Sequence, residues 1–114
     1  MSTRELRAEA RIAVTRRGKL STGDPWFPCT VLNMSNNGFL MAADQQLGVG
    51  QILEFRCELY PGQVLDCMTE VMHSNDDSAG VMITEIDENG TRMLQTYLEQ
   101  QDAVKLDTLT KPGS

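Results

Sequence analysis

Apolar and polar residues alternate over six short stretches of the chain, and Gly, Pro, Asn or Asp residues separate these stretches. Such alternation is typical of half-buried β-strands, because successive side chains of a strand point to opposite faces. Pro61 and Gly62 lie between the fourth and fifth stretches, and a type II turn favours this pair at its centre. The pattern predicts six strands, over 11–17, 27–34, 39–43, 51–60, 64–73 and 79–86.

The hydrophobic pattern changes after residue 90. Apolar residues then recur at the spacing of one helix face: Met93, Leu94, Tyr97 and Leu98. This spacing predicts an amphipathic helix over about 90–102, and residues 105–114 are predicted to be a frayed tail. Six strands followed by one helix predict an all-β-dominated fold, a six-stranded antiparallel β-barrel with a C-terminal α-helix packed on it.

The length of 114 residues predicts one domain, over 11–104, preceded by an arm of residues 1–11. No apolar run approaches the ~18 residues of a membrane helix, and charged residues occupy the place of a signal peptide's apolar stretch. We therefore expect a cytoplasmic protein without membrane insertion. A chain of this length leaves no room for an attached output domain, so we expect any output to act through another protein.

Cysteine and histidine are too few for most catalytic or metal sites. Cys29, Cys57 and Cys67 are odd in number and lack C-x-x-C spacing, so neither a disulfide framework nor a zinc ribbon is predicted. His73 is the only histidine, and a hydrolase of a dinucleotide would need clusters of metal-binding histidines and carboxylates. We predict a protein that is not an enzyme and has no metal centre.

Charge is strongly segregated along the chain. Residues 1–19 carry six basic and two acidic residues, a net charge of +4, whereas residues 20–114 carry a net charge of −10. The acidic body argues against a polymeric nucleic acid as partner, because such binding depends on phosphate neutralisation. The segregation favours a discrete anion held between a flexible basic arm and the body, and a solvated basic tail is the alternative.

Arg7 and Arg11 form an R-x-x-x-R pair within the arm. Residues four apart share one face of a helix and also one face of a strand, so the two guanidiniums converge in either conformation. A guanidinium donates paired hydrogen bonds to phosphate or to the O6 and N7 edge of guanine, and a guanine nucleotide offers both. The pair alone is weak evidence, since such spacings also arise by chance.

A second motif, N-x-S-x-x-G, follows the second predicted strand at Asn33, Ser35 and Gly38. The simplest interpretation is hairpin chemistry, with Asn and Ser capping the turn and Gly38 supplying a left-handed backbone position. The motif begins 22 residues after Arg11, at the junction of a strand and a turn. The order and placement of both motifs are less expected by chance than either motif alone.

Together the two motifs resemble the signature of the PilZ domain, which is R-x-x-x-R followed by (D/N)-x-S-x-x-G. The resemblance covers essentially the whole chain and implies a receptor for the bacterial second messenger cyclic di-GMP, with no other cofactor. It also implies the ligand-binding residues: Arg7, Arg11, Asn33, Ser35 and Gly38. We expect ligand binding to order the arm and to signal to an unidentified effector protein. The alternative is a ligand-independent adaptor of the same fold that acts through protein contacts.

Three further residues are weaker candidates for contact with the ligand. Trp26 could stack on a base, although a lone tryptophan is often a partly buried anchor. Met72 could pack on a guanine, or it could belong to the core. His73 lies at the end of a strand that borders the nucleotide site in similar domains, and the alternative is an ordinary surface histidine.

Overall fold

The computed structural model describes residues 11–23 and 25–110, with side chains described as far as residue 101. The described chain folds into six strands and one helix: β1 (Ile12–Ser21), β2 (Trp26–Met34), β3 (Gly38–Ala43), β4 (Ile52–Tyr60), β5 (Gln63–Ser74), β6 (Ala79–Glu85) and α1 (Glu88–Thr110). All neighbouring strands are antiparallel, and they close into a barrel in the order β1-β2-β3-β6-β5-β4. The predicted fold class is confirmed.

The barrel consists of two three-stranded meanders, β1-β2-β3 and β4-β5-β6. Two short seams join them, and each seam has four residue pairs. The β1–β4 seam pairs Gly18–Ser21 with Glu54–Cys57. The β3–β6 seam pairs Gly38–Met41 with Ala79–Met82.

The barrel interior is filled by the inward-facing residues of all six strands. Phe39 and Phe55 are fully buried, and their ring centroids lie 4.6 Å apart. The three cysteines are free and buried, and burial raises the pKa of the Cys29 and Cys67 thiols to about 12. These thiols are therefore protonated members of the core.

The first strand is longer than the sequence predicted. The chain does not turn at Gly18; β1 continues through it to Ser21. A Cβ at Gly18 would lie 3.0 Å from both the Arg56 carbonyl oxygen and the Phe55 ring. The glycine therefore allows close packing against β4, whereas Gly62 has the positive φ of 79° that the predicted turn requires.

The helix extends beyond its predicted limits at both ends. Asp87 caps its N-terminus, since the Asp87 Oδ1 accepts a 2.6 Å hydrogen bond from the Gly90 amide. No glycine or proline interrupts residues 91–110, and the helix runs to Thr110, beyond the predicted end near residue 102. Residues 105–110, the first part of the predicted tail, lie in this helix, and residues 111–114 lie outside the described chain.

The helix packs on the barrel through the apolar face that the sequence predicted. Leu94, Tyr97 and Leu98 are buried in the core. The Tyr60 hydroxyl donates a 2.7 Å hydrogen bond to Gln100 Oε1, and the Tyr60 ring meets Tyr97 edge to face. Arg16 lies over the Tyr97 ring, so β1, β4 and the helix meet at one place.

Candidate functional site

The turn between β2 and β3 is held by Ser35. Its amide donates a 2.9 Å hydrogen bond to the Gly38 carbonyl oxygen. Its hydroxyl oxygen accepts hydrogen bonds of 3.2 Å from the amides of Asn37 and Gly38. Because Ser35 is only 2% exposed, these backbone groups are the principal partners of its hydroxyl. The capping role expected of a hairpin serine is therefore present.

Gly38 is required for a reason other than the predicted one. Positive φ occurs among the described residues at Gly23, Gly50 and Gly62, so Gly38 does not have the left-handed conformation. Instead, a Cβ at Gly38 would overlap the carbonyl oxygen of Val81 on β6. The absence of a side chain lets β3 and β6 pair at this end of their seam.

Arg11 and Asn33 bring the two sequence motifs together. The Arg11 Nη1 donates a hydrogen bond of 3.3 Å to the Asn33 Oδ1. Arg11 directly precedes β1, and the pairing of Ala13 with Asn33 fixes this arrangement. Both side chains remain at least partly accessible to solvent, so the pair can meet a ligand. Arg7, the other arginine of the motif, lies outside the described residues.

A cavity of about 420 Å³ opens beside this pair, over the β3–β6 seam. Its lining residues are Arg11, Ser35, Asn37, Gly38, Met72, His73, Gly80, Val81, Met82 and Ile83. This volume falls within the range of about 300–1,000 Å³ that is usual for small-molecule sites. Four other predicted site residues therefore share one cavity with Arg11: Ser35, Gly38, Met72 and His73. Asn33 joins them through its hydrogen bond to Arg11.

A bulge in β5 forms one wall of the cavity. Val71 pairs with Val81 and His73 pairs with Gly80, so Met72 is the extra residue. The bulge interrupts the alternation of the strand, and Met72 and His73 are both exposed although they are consecutive. The His73 imidazole lies across Gly80, where a Cβ would overlap it. Sequence reasoning missed Gly80, which has no signal of its own in the sequence.

The charges of the cavity favour an anion. Arg11 contributes a cation, and none of the described residues that line the cavity is acidic, although the chain carries 16 acidic residues. A second cavity of about 400 Å³ shows the contrast, because Asp44, Asp76 and Asp77 line it together with Arg17. Phosphate groups would therefore be attracted to the first cavity and repelled by most of the second.

Trp26 lies away from the predicted site. It begins β2, seven residues before Asn33, which corresponds to roughly 23 Å along a strand. The Arg56 guanidinium carbon lies 4.6 Å from the centroid of its ring, and the Lys19 ammonium lies 5.4 Å from it. Trp26 therefore belongs to a separate surface of the barrel.

The described part of the chain offers neither a cluster of metal-binding side chains nor a membrane-spanning helix. No group of three or more His, Cys, Asp or Glu residues is placed there to hold a metal ion. Its helix lacks the apolar length needed to cross a membrane.

Comparisons with known proteins agree with this architecture. Residues 5–100 match the PilZ domain family model, whereas no curated protein matches the sequence significantly. The fold is similar to the Bacillus subtilis inhibitor of motility (MotI/DgrA), with a TM-score of 0.74, 15% identity and coverage of 85% of this chain. This chain spans 51% of that protein's length.

Two solved PilZ domains match over nearly their whole length. One is that of YcgR from Escherichia coli, with c-di-GMP, at a TM-score of 0.68 and 12% identity, over 88% of this chain and 96% of that one. The other is that of CeSA from a cellulose-synthesizing bacterium, at a TM-score of 0.61 and 11% identity, over 84% and 98%. Because the family match covers most of the sequence, the chain belongs to the PilZ domain family, whose members are non-catalytic and commonly bind cyclic di-GMP.

Proposed function

We propose that this protein is a receptor for cyclic di-GMP and that it transmits the signal to a protein partner. The observation that carries the proposal is the 3.3 Å hydrogen bond between Arg11 and Asn33. It joins residues from both halves of the PilZ signature at the edge of a cavity whose described lining residues include no acid. Such an arrangement suits a ligand that carries two phosphates and two guanines.

Each residue of the site has a chemical role in this proposal. The Arg11 guanidinium donates hydrogen bonds to a phosphate or to the O6 and N7 edge of a guanine. The Asn33 amide orients that guanidinium and offers its own donor and acceptor to the ligand. Ser35 acts mainly by holding the turn, because its hydroxyl is bonded to the backbone of Asn37 and Gly38.

The β5 and β6 wall supplies apolar and aromatic contacts for the bases. Met72 is 48% exposed and Met82 is 40% exposed, and both line the cavity. A thioether packs favourably against an aromatic ring, so these side chains can cover the faces of the guanines. The His73 ring is held against Gly80 and offers a further flat surface.

The signalling step is assigned to the arm of residues 1–11. Arg7 lies four residues before Arg11, so a ligand held by Arg11 would also be within reach of Arg7 as the arm closes. Fixing each residue costs roughly 1–2 kcal/mol of backbone freedom, and the charge-assisted contacts of the two arginines would offset part of this cost. We expect amide exchange of residues 1–11 to slow on saturation with cyclic di-GMP.

Calorimetry with cyclic di-GMP, with GTP as the competing nucleotide, tests the binding step. The proposal expects heat of binding for cyclic di-GMP, little for GTP, and a large loss of affinity in Arg11→Ala. Arg92→Ala is the matched control, because Arg92 is an exposed arginine on α1 outside the cavity. Equal affinity in the Arg11 and Arg92 variants, or no binding by the wild type, would contradict the proposal and favour the ligand-independent adaptor.

A further inference from the structure

We propose that a second surface of the barrel, formed by Arg17, Lys19, Trp26 and Arg56, docks an acidic segment of a partner protein. We call this surface the basic–aromatic patch. It lies at the β1–β4 seam, opposite the β3–β6 seam that bears the cavity. It contains Trp26, which the nucleotide site does not use.

Unpaired positive charge is the first observation that supports an acidic partner. Among the residues whose side chains are described, no carboxylate forms an ion pair with Arg17 or Lys19, and both are exposed. The lack of pairing is notable because the body of the protein has a large excess of carboxylates. A surface that keeps its cations unpaired under these conditions is available to anions from another molecule.

Three carboxylates near the patch already have partners. Asp66 accepts a 2.9 Å hydrogen bond from the Arg56 Nε, and Glu54 lies 3.4 Å from the Arg56 Nη2. The Glu58 Oε2 accepts a 2.7 Å hydrogen bond from the Gly62 amide in the turn between β4 and β5. These contacts engage the described acids of β4 and β5 that lie near the patch. Asp44, Asp76 and Asp77 line the second cavity together with Arg17, and none of them forms an ion pair with it.

Trp26 and Arg56 form a preorganised anchor. The Arg56 guanidinium is held by two carboxylates and lies over the Trp26 ring at 4.6 Å. Tryptophan and arginine are enriched among the residues that dominate binding energy at protein interfaces. Because Arg56 is fixed before a partner arrives, little side-chain entropy is lost on docking.

The surface is concave where the cations meet. A depression of about 290 Å³ lies between Arg17, Lys19 and Arg56, and its other lining residues are Gly18, Cys57, Glu58 and Val64. The Glu58 carboxylate among them is already bonded to the Gly62 amide. Val64, at the edge of the depression, is 50% exposed. A carboxylate entering here would reach the cations while the neighbouring apolar atoms of its chain contact Val64.

This inference deepens the proposed function, since it supplies the surface for the protein partner, but it is tested separately from nucleotide binding. Arg17 does not line the cavity that contains Arg11. A variant at Arg17 should therefore retain its affinity for cyclic di-GMP even when peptide binding is lost. Failure of the patch and failure of the nucleotide site are thereby distinguished.

The test uses the intrinsic fluorescence of Trp26, the only tryptophan of the chain. The full chain is titrated at low salt with a ten-residue peptide that alternates glutamate and leucine. The control is a peptide of the same length that alternates lysine and leucine. We expect a saturable change with the acidic peptide, weakened by added salt. Arg17→Glu should reduce affinity roughly tenfold or more, because a docked carboxylate then meets a like charge. Arg92→Glu carries the same change of net charge elsewhere and should stay within about twofold of wild type.

Thermal melts and calorimetry with cyclic di-GMP accompany each variant, so that misfolding is recognised. If Arg17→Glu melts at a lower temperature than wild type, Arg17→Gln removes the charge with less perturbation and should weaken peptide binding in the same direction. Equal peptide affinity in the Arg17 and Arg92 variants would overturn the proposal. It would also be overturned if oligothymidylate or anionic phosphatidylglycerol vesicles bound more tightly than the peptide with the same dependence on Arg17.

Discussion

Replacing Gly38 by alanine should destabilise the barrel through a steric conflict between two strands. The added Cβ would overlap the Val81 carbonyl oxygen and would lie 3.2 Å from the Cα of Met82. Both atoms belong to the backbone of β6, so no side-chain rotation relieves the conflict. The strand itself must move, and it is held to β3 by a seam of only four residue pairs.

The expected cost is that of forcing extra atoms into a well-packed place, about 1–3 kcal/mol. In a domain of this size each kcal/mol lowers the midpoint of thermal unfolding by about 4–8 °C. Gly38→Ala should therefore melt at least about 4 °C below wild type when unfolding is followed by circular dichroism. Gly48→Ala is the matched control, because a Cβ there meets no atom within 4 Å and Gly48 has no positive φ. Equal melting of the two variants would refute the steric argument.

Gly80→Ala should lower the affinity for cyclic di-GMP with little change in the stability of the fold. The obstacle there is the His73 imidazole, a side chain on the protein surface that can rotate away. We expect unfolding within about 1 kcal/mol of wild type, since surface rearrangements are usually inexpensive. Affinity for cyclic di-GMP should fall, because His73 no longer forms the cavity wall. A Gly80→Ala variant that loses stability but keeps full affinity for cyclic di-GMP would contradict this prediction.

Other variants test the remaining roles. Arg7→Ala and Arg11→Ala should each weaken cyclic di-GMP binding by about 1.5–3 kcal/mol in calorimetry, and the melting temperature of Arg11→Ala should match that of wild type. Ser35→Ala should lower the free energy of unfolding by about 0.5–1.5 kcal/mol in urea titrations, and an unchanged midpoint would show that the capping bonds contribute nothing. Burial raises the pKa of Cys29 and Cys67 from an ordinary value of 9.0 to about 12. The contribution of these two thiols to stability should therefore be constant well below pH 9 and decline as pH rises toward 12, because the unfolded thiols ionise in this range and the native thiols do not. Cys29→Ser/Cys67→Ser should show less of this decline in urea titrations across that range.

The strands were predictable from sequence because alternation reflects the two faces of a barrel wall. Each predicted strand overlaps an observed one, and the Pro61–Gly62 turn was identified from residues adjacent in the sequence. Gly38 was interpreted as a left-handed turn position, and the first strand was predicted to end before Gly18. In the structure, both glycines allow a neighbouring strand to approach closely, and the atoms that would conflict with a side chain belong to residues far away in sequence.

The candidate site was predictable only as far as its motifs extend. Arg11 and Asn33 were paired through the order of two motifs, and the structure places them in contact. The joint exposure of Met72 and His73 could not be derived, because it depends on the register of β5 against β6. Asp87 was a missed signal of a different kind, since an aspartate just before a helix is recognisable from sequence.

Because each meander is formed by one continuous half of the chain, the barrel resembles a complex of two peptides, one for each meander. All strands of one meander precede the 44–51 connection and all strands of the other follow it. A chain cut in that connection would leave each fragment with its own hairpins, and reassembly would depend on the two four-pair seams and the shared core. The cavity spans one seam and the basic–aromatic patch spans the other, so an occupant of either would link the two fragments non-covalently. Fragment complementation would then report ligand occupancy directly.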